Sequence, residues 1–433
     1  MTPQSSFMVL APVLEGKVEE LRALLASMNR APGVVDPDNE LVPFGQFDRL
    51  HVARFVVLEA PTADDITVYG MAPRPWPPAL VFLGDIDGPA DSFLHDLVAR
   101  ADPGLRRIFA HCQDFSPNVD LLAWMKRHER RSAANYLNWI GRTVRQVREE
   151  QALHAALLGQ VHDGAAMAPG DLPSVVRNRL ARFVDTERQA GRIKLTPPAP
   201  TPKDWRLRNR LHAIGVPIAL LVMAPFLLVA SPVLVYMLRR REKTDPDTAP
   251  HPGGDHIRRT AELEDQENAN QFTVFGDLKP GGFRRWLTVF LLWLLNYSAR
   301  HIFNRGYLTR VQTIHFARWV FLDDRRRLFF ASNYDGSLES YMDDFINKVA
   351  WGINLVFSNG IGYPRTRWLI LDGAKDEQKY KRVLRRHQLP TDVWYKAYPG
   401  LTVVDLERNS RIREGLERPS MTDREAREWL RLL

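Results

Sequence analysis

The sequence predicts an α+β chain: one strand–helix–strand–strand–helix–strand unit occurs twice, sheet packed against sheet, with a membrane-seeking helical hairpin between the copies. Two observations carry that expectation. The stretch Leu50-His51-Val52-Ala53-Arg54-Phe55 returns as Ile314-His315-Phe316-Ala317-Arg318-Trp319, and Asp87-Gly88 returns as Asp335-Gly336. Between the copies, Ala213 to Leu238 runs 26 residues without a charge.

The first copy, assigned to residues 1–160, opens with an apolar strand over 6–13. Val18, Leu21, Leu24, Leu25 and Met28 then recur at helical spacing, and Ala31-Pro32-Gly33 stops that helix. A strand over 47–58, a Pro-rich loop over 61–78 and a strand over 79–85 follow. Gly88-Pro89-Ala90-Asp91 opens a second helix, and the apolar piece 105–112 leads towards a last strand or helix. This order is the split βαβ pattern of a ferredoxin-like unit.

The second copy is assigned to 271–417. Phe272-Thr273-Val274-Phe275 repeats Phe7-Met8-Val9-Leu10, and Gly281 falls where Gly16 stood. Val81 to Phe115 aligns without a gap on Phe329 to Tyr363. Tyr136, Gly141, Thr143 and Val144 match Tyr395, Gly400, Thr402 and Val403 at the same internal spacing. Matches kept in order over so long a stretch are the mark of a duplication.

Residues 161–270 read as a helical linker: a polar helix over 161–190, a stiff Pro-rich run over 196–202, then the apolar segment 213–238. About 20 apolar residues suffice to span a bilayer. Basic residues flank both ends, Lys203, Arg206, Arg208 and Arg210 before, Arg239, Arg240, Arg241 and Lys243 after. Positive charge marks the cytoplasmic side, and a single crossing would separate two copies that need each other. A monotopic hairpin bent near Pro225 meets both conditions, and a true span is the alternative. The helix over 284–305, apolar nearly all round at Trp286 to Tyr297, is expected to turn one face to lipid. Residues 418–433 form a helical tail.

Composition narrows the partners. Lys and Arg number 59 against 51 Asp and Glu, a net charge of +8, which suits anionic headgroups. No base-reading module accompanies that charge, so nucleic acid is not expected. The single cysteine, Cys112, excludes an internal disulfide and any cysteine-built metal centre. The N-terminus lacks the basic and apolar regions of a cleavable signal peptide. The chain is therefore expected on the cytoplasmic face of a membrane.

With its duplicated units, the chain resembles the dimeric α+β barrel superfamily, which includes chlorite dismutases, dye-decolourising peroxidases and antibiotic-biosynthesis-type monooxygenases. The resemblance covers roughly 1–160 and 270–417 and rests on element order and duplication. It implies a pocket between sheet and helices that holds haem or a small organic substrate. Gly84-Asp85-Ile86-Asp87-Gly88 is similar to the G-x-x-D-G motif that supplies the distal acid in dye-decolourising peroxidases. Ser332 replaces the first glycine in the second copy, and that family's proximal-histidine segment has no counterpart.

The candidate chemistry gathers in the second copy, which is richer in polar aromatic groups. His315, Arg318, Asp335, Tyr334 and Asn333 form the candidate catalytic set, and His315, His51, Arg54 and Asp87 the candidate cofactor set. An imidazole can ligate haem or act as a base, and an arginine can hold an anion. The competing reading is structural: both copies keep the His, Arg and Asp-Gly pairs, as a symmetric fold would need. Strand alternation places His and Arg on opposite faces unless a bulge intervenes. No P-loop, nucleophile elbow, H-E-x-x-H or dinucleotide fingerprint appears. Two functions remain: a membrane-associated oxidoreductase, peroxidase or monooxygenase in type, taking a lipophilic small molecule, or a non-catalytic lipid-binding or scaffolding protein.

Overall fold

A computed structural model of the chain describes residues 1–164, 168–306, 308 and 310–433. It is α+β and contains two four-stranded antiparallel sheets. The strands of these sheets are β1 (Gln4–Pro12), β2 (Leu50–Leu58), β3 (Ala79–Asp87), β4 (Ala134–Leu137), β5 (Ala269–Asp277), β6 (Ile314–Leu322), β7 (Arg327–Asp335) and β8 (Val393–Lys396). One sheet runs β1-β3-β2-β8 and the other β4-β6-β7-β5. The last strand of each half thus crosses over: β8 lies on β2 with Trp394 opposite Arg54, and β4 lies on β6 with Asn135 opposite Arg318.

Both faces of each sheet are covered, so the strands read as nearly unbroken apolar runs, and all of β2 is buried. Alternation sends Phe7, Val9 and Ala11 outward to the helices. Met8 and Leu10 point inward, where Val56, Val81, Phe275, Val320 and Phe329 from the two sheets share one core. The helices α1 (Val18–Ala26), α2 (Ala90–Phe109), α3 (Leu121–Arg127) and α4 (Val144–His162) belong to the first half. The apolar piece at 105–112 is mostly the end of α2, not a new strand. The polar helix expected over 161–190 is the end of α4 followed by α5 (Pro173–Gln189); residues 165–167 lie outside the described residues.

The segment between the halves corrects one expectation. Lys203–Thr244 is a single continuous helix, α6, with Pro217, Pro225 and Pro232 inside it, and no hairpin forms. A proline removes one helical hydrogen bond and kinks the axis. A reversal would instead free several backbone groups in the least polar part of the chain.

After α7 (Gly254–Ala261), the second half contributes α8 (Gly282–His301), α9 (Leu338–Phe357), α10 (Glu377–His387) and α11 (Val403–Glu417); α12 (Asp423–Leu430) closes the chain. The tail is not separate, because Trp429 of α12 packs with Leu153, Leu180 and Ile412 of α4, α5 and α11.

Both ends of α6 are fastened to this body. At its start, Arg300 Nε donates to Asn209 Oδ1 at 2.7 Å and Tyr297 donates to the Ala213 carbonyl at 3.1 Å. At its end, buried Glu242 accepts from the Trp368 and Leu369 amides, and Asp245 pairs with Arg284 at 2.5 Å. From 209 to 245 a straight helix would run about 54 Å, whereas 284 to 300 covers about 24 Å. The stretch of α6 between its two fastenings is therefore longer than α8, and its apolar middle is largely exposed. Its most apolar window is not buried at all.

Candidate functional site

The two histidines sit at matching irregularities. The register of β2 against β3 slips between Leu50 and Val52, and that of β6 against β7 between Ile314 and Phe316. Each slip holds one extra residue, His51 or His315, and such a bulge re-aims the side chain. His51 Nε2 then lies 2.9 Å from Asp87 Oδ1, and His315 Nε2 lies 2.7 Å from Asp335 Oδ1. The second carboxylate oxygen goes to a helix start in each case: Asp87 accepts from Val144 N at 2.8 Å, and Asp335 from Val403 N at 2.6 Å. A carboxylate at the positive end of a helix is well placed electrostatically. Each strand end is thereby tied to the helix behind it, with Gly88 and Gly336 at φ +81° and +84° making the turn.

The arginines cross between the sheets. Arg54 donates to the Phe272 and Ser332 carbonyls and to Thr273 Oγ1, all in the other half. Arg318 donates to the Phe7 and Gly84 carbonyls, the matching positions in reverse. Arg318 also pairs with Asp85 at 2.6 Å. The residue matching Asp85 is Asn333, so Arg54 has no such carboxylate. Burial, and then Arg318 nearby, hold the Arg54 pKa far below its ordinary value, with Asp85 opposing.

The other two candidates have local tasks. Asn333 Oδ1 accepts from Phe316 N inside the bulge at 3.1 Å. Tyr334 stacks on Tyr341 with ring centroids 4.2 Å apart and donates to Asp265 Oδ1, which also caps Leu338 N at the start of α9. Burial raises the Tyr334 hydroxyl well above the ordinary phenol range, with Asp265 adding to it.

An apolar cavity of about 290 Å³ lies in the second half, between the outer face of the β4-β6-β7-β5 sheet and helices α8 and α9. Leu294, Ala317, Trp319, Phe345 and Ile353 line it, with Ser298 among the few polar groups. The structure does not bring the candidate residues to this cavity. Ala317 and Trp319 face it, so alternation turns Arg318 to the opposite face, where it meets the other sheet. The His315–Asp335 pair is likewise absent from its lining.

Nor do these residues fit an axial haem ligand. His51 has both ring nitrogens engaged, Nδ1 with the Tyr398 hydroxyl at 3.0 Å and Nε2 with Asp87. His315 is 4% exposed, has Nε2 on Asp335, and borders none of the described cavities. Of the cofactor set only Asp87 reaches one of the described cavities, a surface pocket of about 200 Å³ at the start of α4.

Sequence reasoning missed three contributors. Asp85 was visible inside the G-x-x-D-G stretch without its Arg318 partner, and Asp265 gave no signal. Tyr398 is one of the polar aromatic groups of the second copy, but its place against His51 depends on the strand exchange. No known protein family matches the chain, and no curated protein or solved structure does either.

Proposed function

We propose that this protein is a membrane-attached binder of apolar chains, in which the His, Arg and Asp-Gly pairs hold the fold together and do no chemistry. On this reading two ferredoxin-like repeats exchange their last strands and close an intramolecular α+β barrel. The apolar cavity of about 290 Å³ carries the functional reading. Its wall includes Leu291, Leu294 and Leu295 of α8, the helix to whose ends the exposed α6 is fastened. An apolar chain leaving the bilayer beside α6 would find this cavity at the membrane surface.

The attachment follows from α6. Leu221, Phe226 and Val229 are 73%, 74% and 83% exposed, and soluble monomers rarely present so long an apolar surface. Both ends of α6 are held by one body, so α6 enters and leaves the bilayer on the same side, with its basic flanks among anionic headgroups of the cytoplasmic face. Trp205 near one end and Trp368 near the other stand where aromatic side chains favour the interface.

Two measurements test the reading. Carbonate extraction should leave the protein in the membrane fraction, and protein purified in mild detergent should carry lipid detectable by mass spectrometry. Ala317→Phe, which fills the cavity, should remove that lipid while the protein stays folded and membrane-bound. Lipid retained in full by the filled variant would defeat the proposal.

A second reading, an oxidoreductase acting on a lipophile in the same cavity, draws its support from the cavity's position between sheet and helices. It demands oxygen uptake or product formation from an added lipophile. A purified protein inactive with and without added haem would leave only the binding role.

A further inference from the structure

The largest described cavity, about 550 Å³, lies at the foot of α6 and α8 and has a different character. Trp205 and Asn209 of α6, and Arg300, His301 and Arg305 at and beyond the end of α8, form one wall. Arg142, Glu150 and Arg413 form another. The charge-free part of α6 begins at Ala213, one to two turns beyond Trp205 and Asn209. The cavity therefore sits at headgroup depth on the membrane reading above, and this inference rests on that placement.

Its charges are unevenly satisfied. Glu150 takes both Arg142 and Arg413, and Glu417 takes Arg413 as well. Among the described residues, no carboxylate lies within ion-pair distance of Arg300 or Arg305. The Arg300 guanidinium is held, among the described residues, by the neutral Asn209 side chain and by the face of Trp205, 5.7 Å from the ring centre. Burial and nearby Arg208 both lower its pKa, as expected of a cation without a counter-charge. Deeper in, Arg413 is 6% exposed and its Nη1 makes no hydrogen bond, its nearest counter-charge being Glu150 Oε1 at 3.7 Å, and Arg142 is 7% exposed with Nε also lacking an acceptor. Buried guanidinium N–H groups normally find acceptors. Glu414 and Glu417 also line the cavity and oppose an anion there, Glu417 already paired with Arg413.

We infer that this cavity binds the phosphate of a membrane phospholipid headgroup, with Arg300 and Arg305 as the main contacts and Arg413 Nη1 behind them. Guanidinium groups pair with phosphate through short, charge-assisted bonds, and four of them, Arg142, Arg300, Arg305 and Arg413, line the space. The adjoining turn separates the two cavities: Ser298 and Phe303 face the apolar one, while Arg300, His301, Asn304 and Arg305 face this one. Headgroup and chain sites thus lie on either side of one helix end.

The test uses the full-length protein in an uncharged detergent, titrated by calorimetry with dihexanoyl phosphatidylglycerol and, separately, inorganic phosphate. The short-chain lipid should bind, and the double variant Arg300→Ala with Arg305→Ala should weaken it by about tenfold or more, the loss of roughly one charge-assisted contact. Arg300→Lys with Arg305→Lys should recover part of the affinity, and Glu414→Gln should tighten binding by removing a like charge. A thermal melt matching the wild type confirms that each variant is folded. Equal affinity for inorganic phosphate would overturn the headgroup assignment in favour of a free anion. No heat from either probe, or unchanged binding by the double Ala variant, would overturn the site itself. Membrane extraction of the same variants should be unaltered, so failure of this site and failure of membrane attachment read out separately.

Discussion

Arg54 and Arg318 reach across the layer between the sheets in opposite directions, each ending on backbone carbonyls of the other half. They hold matching positions in the two halves of the sequence but differ in one respect. Arg318 has Asp85 at 2.6 Å, whereas Arg54 meets only neutral acceptors. A buried cation is expensive unless paired and hydrogen-bonded. The first half's arginine is therefore the weaker of the two joints.

Giving Arg54 a carboxylate should strengthen that joint. Asn333 Nδ2 is buried without a partner, and Oδ1 already holds Phe316 N. Asn333→Asp keeps that bond and puts a carboxylate at the position that matches Asp85, for a gain of about 1 kcal/mol in chemical denaturation. The new acid, paired with a cation, titrates lower in the fold than in the unfolded chain. The gain is thus present above about pH 4 and fades as pH falls through the folded value. Asp85→Asn is the reverse experiment and should cost about 3 kcal/mol by leaving Arg318 unpaired. Equal stability of the two variants would show that the arginines are not paired as described.

The His–Asp pairs are expected to act on stability and not on binding. His315→Ala should lower unfolding free energy by about 1–3 kcal/mol through a lost buried hydrogen bond. Asp335→Ala should cost more, because it also abandons Val403 N at the start of α11. Lipid carried by purified His315→Ala should match the wild type. A stable variant that has lost its lipid would return His315 to the functional site.

Much of this architecture was written in the sequence, and the reasons are local. Thr143 and Thr402, an identical pair, both cap helices through reciprocal bonds, and Gly141 and Gly400 both take positive φ beside them. Such positions keep their residue type because the backbone demands it. The His bulges were not legible, since alternation alone sends His51 and Arg54 to opposite faces. The exchange of β4 and β8 was not legible either. Tyr136 and Tyr395 align perfectly well, yet nothing in a four-residue strand says which sheet it joins. The apolar cavity left one trace, the helix 284–305 that is apolar nearly all round, which the structure half-buries as α8 and ends at His301. The hairpin expected near Pro225 gave way because helix-compatible φ lets proline remain inside α6.

Attachment from one side makes a prediction for labelling. Arg206 and Lys243 flank the apolar part of α6, and both are exposed. The only native thiol, Cys112, is buried, which pushes its pKa up to about 12 and leaves little thiolate to react. Arg206→Cys and Lys243→Cys should therefore report cleanly to a membrane-impermeant maleimide. Both should be modified in inside-out vesicles and protected in right-side-out ones. Opposite accessibility of the two sites would establish a full crossing and refute one-sided attachment.

Lys279 supplies a pH dependence with a definite sign. Its ammonium is 6% exposed and stands 4.0 Å from Asp245, whose carboxylate is already paired with Arg284. Burial first, and Arg284 second, push the Lys279 pKa down to about 8. An unfolded lysine keeps its proton to about 10.4. Between those values the unfolded chain binds more protons than the folded one, so this residue makes stability rise with pH. Below about pH 8 the whole cost of charging Lys279 is present, at most about 3 kcal/mol. Lys279→Met removes that cost and leaves Asp245 its Arg284 partner. The variant should be more stable by about 1–3 kcal/mol at pH 7, and the difference should shrink across about pH 8 to 10.4. Denaturation midpoints at pH 7 and pH 10, measured for both proteins in the same detergent, decide it: a constant difference would mean that Lys279 titrates normally in the fold.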